Sequence, residues 1–155
     1  MDIKKFLNKY RTDSTTNFQL LKYAKELGIK PFYCIMRNEL DKLNKAKTKL
    51  DKYSAVYIIC NYQTTEEQGT RWVSMCRDKD KSFYFDSYGL QLFPEALDFL
   101  EEGIFSTFKI QPDNSRLCGQ LCLWILFQLH MGKDFYDSVL ELNEYFNPYK
   151  QAKAL

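Results

Sequence analysis

Residues 111–122 read Gln111-Pro112-Asp113-Asn114-Ser115-Arg116-Leu117-Cys118-Gly119-Gln120-Leu121-Cys122, and this stretch decides the fold. The residues before Cys118 are polar and turn-forming, whereas those after it begin an apolar run that Gly132 ends. This pattern predicts a loop that delivers Cys118 to the first turn of a helix. A helix N-terminus presents unpaired N–H groups and a partial positive charge, which favour a thiolate. The alternative is that Cys118 is a small buried hydrophobic residue, as free cysteines commonly are.

Two neighbours of Cys118 suit a reactive thiol. Gly119 has no Cβ, so the backbone of a substrate can approach it closely. Gln111 lies earlier in the loop, and its side-chain amide is a suitable donor to an oxyanion.

Short runs of β-branched and aromatic residues occupy the middle of the chain, which is the composition of strands. The charged turn Asp78-Lys79-Asp80-Lys81 joins two of these runs into a predicted hairpin. Strands are predicted at 31–36, 54–60, 70–77, 82–86 and 105–110, with a loop at 61–69.

Apolar residues recur at helical spacing on both sides of these strands. Thr16 or Asn17 is a candidate cap for the first helix, and Gly28 is its natural end. The stripe that this first helix is expected to bury comprises Phe18, Leu21, Tyr23, Ala24 and Leu27. Helices are predicted at 17–27, 94–101, 118–131 and 134–146.

The lysine-rich segment 41–52 is predicted to be a solvated loop or surface helix, with a basic contact for an acidic partner as the alternative. Helices that flank a central cluster of strands predict an α+β fold. The length of 155 residues suits one domain, so we expect a single domain over residues 1–155.

Bulk properties argue against several classes of protein. No apolar run reaches the roughly 18 residues that a membrane helix needs. The first residues lack the apolar segment of a secretory signal, so we expect a protein that is neither membrane-bound nor secreted. The net charge of +2 is too small to indicate nucleic-acid binding by itself.

The cysteines and the histidine bear on redox state and metals. An odd count of five cysteines without a signal peptide favours reduced thiols over a disulfide framework. Cys118 and Cys122 have no second cysteine pair, and His130 is the single histidine. We therefore expect no metal site and no cofactor.

Three segments in register resemble the adenovirus-type cysteine proteases, the adenain-like family that polintons also encode. The first is Gln111-x6-Cys118-Gly119-x2-Cys122, which resembles the nucleophile segment of the family. The second is Gly69-Thr70-Arg71-Trp72, where the family has Gly-x-His-Trp. The third is Phe83-Tyr84-Phe85-Asp86-Ser87-Tyr88-Gly89, an aromatic strand that ends in an acid.

The resemblance implies a papain-like cysteine protease fold of the adenain and ubiquitin-like-protease type, with a central mixed sheet flanked by helices. It matches Cys118 to the nucleophile, Gln111 to the oxyanion-hole residue and Asp86 to the acid that orients the base. Trp72 matches the tryptophan beside the base, and Trp72 and Gly119 are expected to contact substrate. Trp72 is also suited to the core.

The resemblance further implies a polypeptide partner, such as a viral precursor or capsid protein. An activating peptide or DNA is implied by the resemblance alone. The implied location is the host cytoplasm or nucleus, or the virion.

Arg71 stands where the family has its general-base histidine. An arginine stays protonated in proteins, with a pKa above about 12, so it can stabilise a thiolate by charge but cannot shuttle a proton. A Cys–His dyad needs that proton transfer, and general acid–base help contributes typically 10²–10⁴-fold. His130 cannot replace the base, because it lies roughly 18 Å from Cys118 at about 1.5 Å per helical residue. We expect Asp86 to pair with Arg71.

Two functions remain open at this point. The first is a catalytically impaired domain or pseudoprotease that binds viral or precursor polypeptides. The second is an active viral maturation cysteine endopeptidase with Cys118 as nucleophile, or a relative of the ubiquitin-like-modifier proteases. Arg71 favours the first function.

Overall fold

A computed structural model describes residues 1–10, 15–45, 52–63, 71–106, 109–110 and 116–147. The strands in these ranges are β1 (Phe32–Met36), β2 (Ala55–Asn61), β3 (Trp72–Asp78), β4 (Ser82–Phe85) and β5 (Ile104–Ser106). The helices are α1 (Ile3–Lys9), α2 (Asn17–Glu26), α3 (Leu40–Lys45), α4 (Pro94–Leu100), α5 (Cys118–His130) and α6 (Phe135–Phe146). A 3₁₀ turn, Arg37–Glu39, precedes α3.

The strands form one mixed sheet in which spatial order follows chain order, β1-β2-β3-β4-β5. Strands β2, β3 and β4 are antiparallel neighbours, and the outer strands β1 and β5 each run parallel to their neighbour. The predicted hairpin is the β3–β4 pair. The predicted α+β class with a central mixed sheet flanked by helices is thus confirmed.

Strand β2 shows how the sheet divides the core. Its successive side chains point to opposite faces, as in any strand. Val56, Ile58 and Cys60 pack with residues of α3 and α4, whereas Tyr57 and Ile59 pack with residues of α1, α2, α5 and α6. The sheet is therefore buried on both faces, which explains the nearly continuous apolar sequence of β2.

Helix α5 is the centre of the larger core and positions the candidate site. It lies against β3, and α1, α2 and α6 pack around it. Nearly all of its residues from Cys118 to Leu126 are fully buried, as is typical of a helix that is apolar all round. The helix begins at Cys118 and ends just before Gly132, as the sequence predicted.

The predicted buried stripe of α2 is wrong in part. Thr16 caps this helix through a capping box with Gln19, which confirms one predicted start. The fully buried residues are Leu20 and Ala24, one helical turn apart, because α2 packs against both β1 and α5. Tyr23 and Leu27 also pack against the core, as predicted, but are partly buried. Phe18 is left 77% exposed.

Two other elements differ from the predictions. Helix α1 was not predicted; Asp2 caps it, and it buries Ile3 and Phe6. Strand β5 begins one residue earlier than predicted and covers three residues, Ile104–Ser106. Residues 107–108 lie outside the described residues, as do 46–51 of the lysine-rich segment, 64–69 of the predicted loop and Thr70, the first residue of the predicted strand 70–77.

Three further observations concern disulfides, metal sites and membrane-spanning helices. All five cysteines are free. In the part of the chain that the structure describes, no cluster of three or more His, Cys, Asp or Glu residues could hold a metal ion. No helix within that part has the length and apolar character needed to cross a membrane.

Candidate active site

Cys118 is the first residue of α5 and lies against the start of β3. Its side chain is 4% exposed. The backbone N–H of Trp72 donates a hydrogen bond to its Sγ across 3.5 Å. The sulfur therefore lies beside the backbone of the residue that follows Arg71.

Burial raises the pKa of the Cys118 thiol above its ordinary value. Three influences oppose this rise: the backbone N–H groups of Trp72 and Gly119, and to a smaller extent the charge of Arg71. Because burial outweighs them, Cys118 carries a neutral thiol at pH 7. The N–H of Gly119 at the helix N-terminus favours the thiolate, as expected, but burial has the larger effect on the pKa.

Two further hydrogen bonds hold Trp72 in place. Its carbonyl accepts a hydrogen bond of 3.3 Å from Sγ of Cys122, one turn beyond Cys118. Its indole Nε1 donates to the carbonyl of Thr15 across 3.1 Å. The side chain is 7% exposed, so Trp72 is part of the core that joins β3, α5 and the chain before α2.

Gly119 lies against Thr15 and Trp72. A Cβ built at Gly119 would overlap Oγ1 of Thr15 and would lie 3.2 Å from Cδ1 of Trp72. The side of Gly119 that the sequence assigned to a substrate backbone is therefore occupied by Thr15. Substrate contacts of Trp72 and Gly119 stay a prediction.

Asp86 follows β4 and is completely buried. Its Oδ1 accepts the backbone N–H of Tyr88 at 2.9 Å, and its Oδ2 accepts that of Leu90 at 3.1 Å. Burial raises the pKa of this carboxyl group, while the two N–H groups and the nearby charge of Arg71 oppose the rise. Both carboxylate oxygens are thus committed to the turn after β4.

The Arg71 side chain packs on aromatic rings. Its guanidinium carbon lies 4.4 Å from the ring centroid of Tyr62 and 5.3 Å from that of Tyr88. Between described residues, the one ion pair within 4 Å joins Arg37 and Glu95. The expected ion pair between Arg71 and Asp86 is therefore wrong, because Asp86 binds its own turn and Arg71 stacks on tyrosines instead.

His130 lies away from this cluster, whereas Gln111 cannot be placed relative to it because it is not among the described residues. His130 is the last residue of α5, at the opposite end from Cys118, and its ring lies edge-on to Tyr57 at 5.3 Å. Gln111, the predicted oxyanion-hole residue, lies outside the described residues.

Sequence reasoning missed Thr15, Tyr62 and Tyr88 as residues of this site. Tyr88 belongs to a quoted motif, and its aromatic ring two residues beyond Asp86 was the available signal. Tyr62 and Thr15 carry no local signal, since their neighbours in the site are distant in sequence.

Solved structures with the same arrangement of elements place this geometry in context. Two crystal structures of the ASFV pS273R protease, one of them of the selenomethionine protein, match with TM-scores of 0.61 and 0.60 at 12% identity. Each match covers 88% of this chain, and 68% and 67% of the protease respectively. The fold is that of the adenain and ubiquitin-like-protease type of cysteine protease. At this identity the similarity shows the fold alone.

No protein-family model matches the sequence, and no curated protein matches it. The roles of individual residues therefore depend on the geometry described above.

Proposed function

We propose that this chain is a pseudoprotease: a cysteine-protease-like domain that binds a polypeptide without turning it over. The observation that carries the proposal is the position of Arg71. A permanently charged arginine, packed on the rings of Tyr62 and Tyr88, precedes the tryptophan whose backbone contacts Cys118. Cleavage needs a group at this place that takes a proton from the thiol and later gives one to the leaving amine.

No other group described around Cys118 supplies that proton transfer. The backbone N–H groups of Trp72 and Gly119 are donors only. Asp86 is committed to two backbone N–H groups, and His130 lies at the far end of α5. Loss of general acid–base catalysis alone costs typically 10²–10⁴-fold in rate.

The partner that we propose is a viral precursor or capsid polypeptide. Similarity to the fold of a viral protease supports this class of partner, because such folds bind extended polypeptides. An activating peptide or DNA, and a location in the host cytoplasm, nucleus or virion, follow from the family resemblance described under sequence analysis. The single domain over residues 1–155 is part of the same proposal.

An active endopeptidase is the second candidate, and one observation favours it. Cys118 begins α5 beside Trp72, and both Asp86 and Arg71 lie close enough to influence the pKa of its thiol. The proximity of these four positions, which the resemblance matched to a protease site, supports this second candidate. A base supplied from outside this cluster would make Cys118 a working nucleophile.

Restoring the histidine tests the proposal. The assay measures the rate at which the protein cleaves fluorescein-labelled casein. The unmodified chain should show no cleavage that depends on Cys118, whereas Arg71→His should cleave at least 10²-fold faster than background. The gain should vanish in Arg71→His combined with Cys118→Ala. Arg77→His, on the strand β3 that Arg71 precedes but packed over Phe99, is the matched control and should gain nothing. Turnover by the unmodified chain that Cys118→Ala abolishes would favour the active enzyme.

A further inference from the structure

Two arginines share the ring of Tyr62 and provide an internal comparison. The guanidinium carbon of Arg37 lies 5.7 Å from the centroid of Tyr62 and 4.9 Å from that of Phe93. The guanidinium carbon of Arg71 lies 4.4 Å from the same tyrosine and 5.3 Å from Tyr88. Both cations are thus held on aromatic rings in partly buried surroundings.

The two arginines differ in their hydrogen bonding. Arg37 donates from Nε to Oε2 of Glu95 at 2.8 Å, which satisfies its charge and its donor. Nε of Arg71 is buried and has no hydrogen-bond partner in the described part of the chain. A buried donor that lacks a partner is costly, more so when it is charged. Arg71 therefore packs on aromatic rings as Arg37 does, but no described carboxylate pairs with it.

The acidic groups near Arg71 do not fill this place. Cys118 holds a neutral thiol, because burial raises its pKa. Asp86 influences Arg71 through space, but its oxygens accept the N–H groups of Tyr88 and Leu90. Among the described residues, no oxyanion therefore pairs with Nε of Arg71.

We propose that Arg71 binds the C-terminal carboxylate of a polypeptide held beside Cys118. This inference rests on the proposed function, because a domain that binds chains without cleaving them can retain a chain end. The planar guanidinium matches a carboxylate with two parallel hydrogen bonds, and the tyrosine rings fix its orientation before binding. A single negative charge suits the site better than a phosphate dianion, which would face the nearby carboxylate of Asp86.

Arginine side-chain NMR on the unmodified chain tests this assignment. The Nε–H signals of Arg71 and Arg37 are assigned through bonds and checked by loss of one signal in Arg71→Lys and of the other in Arg37→Lys. The probes are N-acetyltriglycine and its C-terminal amide, which have no side chains and differ in charge at the end. The Arg71 signal should move downfield with the acid and saturate. The amide should need more than tenfold higher concentration than the acid to shift the Arg71 signal equally. The Arg37 signal should not shift with either probe.

Other outcomes would overturn the inference. No movement of the Arg71 signal, or equal movement with acid and amide, means that the carboxylate is not recognised. If inorganic phosphate shifts the Arg71 signal at concentrations equal to or lower than those of N-acetyltriglycine, the site binds anions in general. Because the titration uses the unmodified chain, it remains decisive if Arg71→Lys fails to fold. A negative titration would overturn this inference without affecting the turnover assay, which tests the proposed function. Conversely, Cys118-dependent cleavage would refute the proposed function without changing the Arg71 signal.

Discussion

Thr15 lies directly on Gly119, the second residue of helix α5. A Cβ at Gly119 would overlap Oγ1 of Thr15 and would come within 3.1 Å of its Cβ. The carbonyl of Thr15 also accepts the indole N–H of Trp72. The chain before α2 is therefore packed against the helix start that carries Cys118, and glycine is required there by close packing.

Gly119→Ala should lower the free energy of unfolding by about 1–3 kcal/mol, because the new methyl group forces Thr15 to move. Thr15→Gly removes the two atoms that the methyl group meets, so part of the loss should be recovered in the double variant. Denaturant unfolding of both single variants and the double variant measures this coupling. Strictly additive losses would show that Thr15 and Gly119 do not constrain each other.

Arg71→Gln should destabilise the fold by about 0.5–2 kcal/mol, since it removes a cation from the rings of Tyr62 and Tyr88. Arg116→Gln is the matched control, because Arg116 is exposed and its replacement should stay within about 0.5 kcal/mol. Thermal unfolding of both variants gives the comparison. Equal stability of the two variants would mean that the stacking of Arg71 contributes nothing.

Cys118 should be the first thiol to react with iodoacetamide. Burial raises the pKa values of Cys34 and Cys76 to about 12, and it raises the pKa of the fully buried Cys122 well above its ordinary value. At Cys118 two backbone N–H groups and Arg71 oppose the effect of burial on the pKa. Its labelling rate should still rise with pH beyond neutrality, because the thiol is neutral at pH 7.

Mass spectrometry of labelled peptides between pH 6 and 10 follows this reaction. Arg71→Gln should slow the labelling of Cys118 at pH 8, since a charge that favours the thiolate is lost. A rate that is already constant below pH 7 would reveal a preformed thiolate. Slow and uniform labelling of all five cysteines would show that the site is closed to small reagents.

Asp86 should make the protein less stable as the pH rises through the pKa of its folded state. Burial raises this pKa above the ordinary value of 3.8, so the folded protein binds the proton more tightly than the unfolded chain. The resulting stabilisation is complete below the unfolded pKa and is lost at higher pH. The unfolding free energy of the unmodified chain, taken relative to Asp86→Asn, should therefore fall between pH 4 and pH 7.

Denaturant unfolding of the two proteins across this range tests the sign. A difference that grows with pH would mean that the hydrogen bonds from Tyr88 and Leu90 outweigh burial. A constant difference would mean that Asp86 does not titrate in this window.

Local sequence patterns predicted much of the fold. β-Branched and aromatic content located β2, the charged turn located the β3–β4 hairpin, and the change from a polar loop to an apolar run located the start of α5 at Cys118. The face of α2 was predicted only in part, because several apolar residues offered alternative stripes and packing against β1 and α5 buried Leu20 and Ala24 and left Phe18 and Leu21 exposed.

The sequence by itself determined which side chains are available as a general base. Arginine cannot act as a general base wherever it lies, and the single histidine is a helix length away from Cys118. Tertiary structure alone decided which rings Arg71 packs on and what covers Gly119. Arg71 meets Tyr62 and Tyr88, and Thr15 meets Gly119, across long stretches of chain. Helix and strand propensities act over a few residues, so such contacts are set only when the sheet and α5 come together.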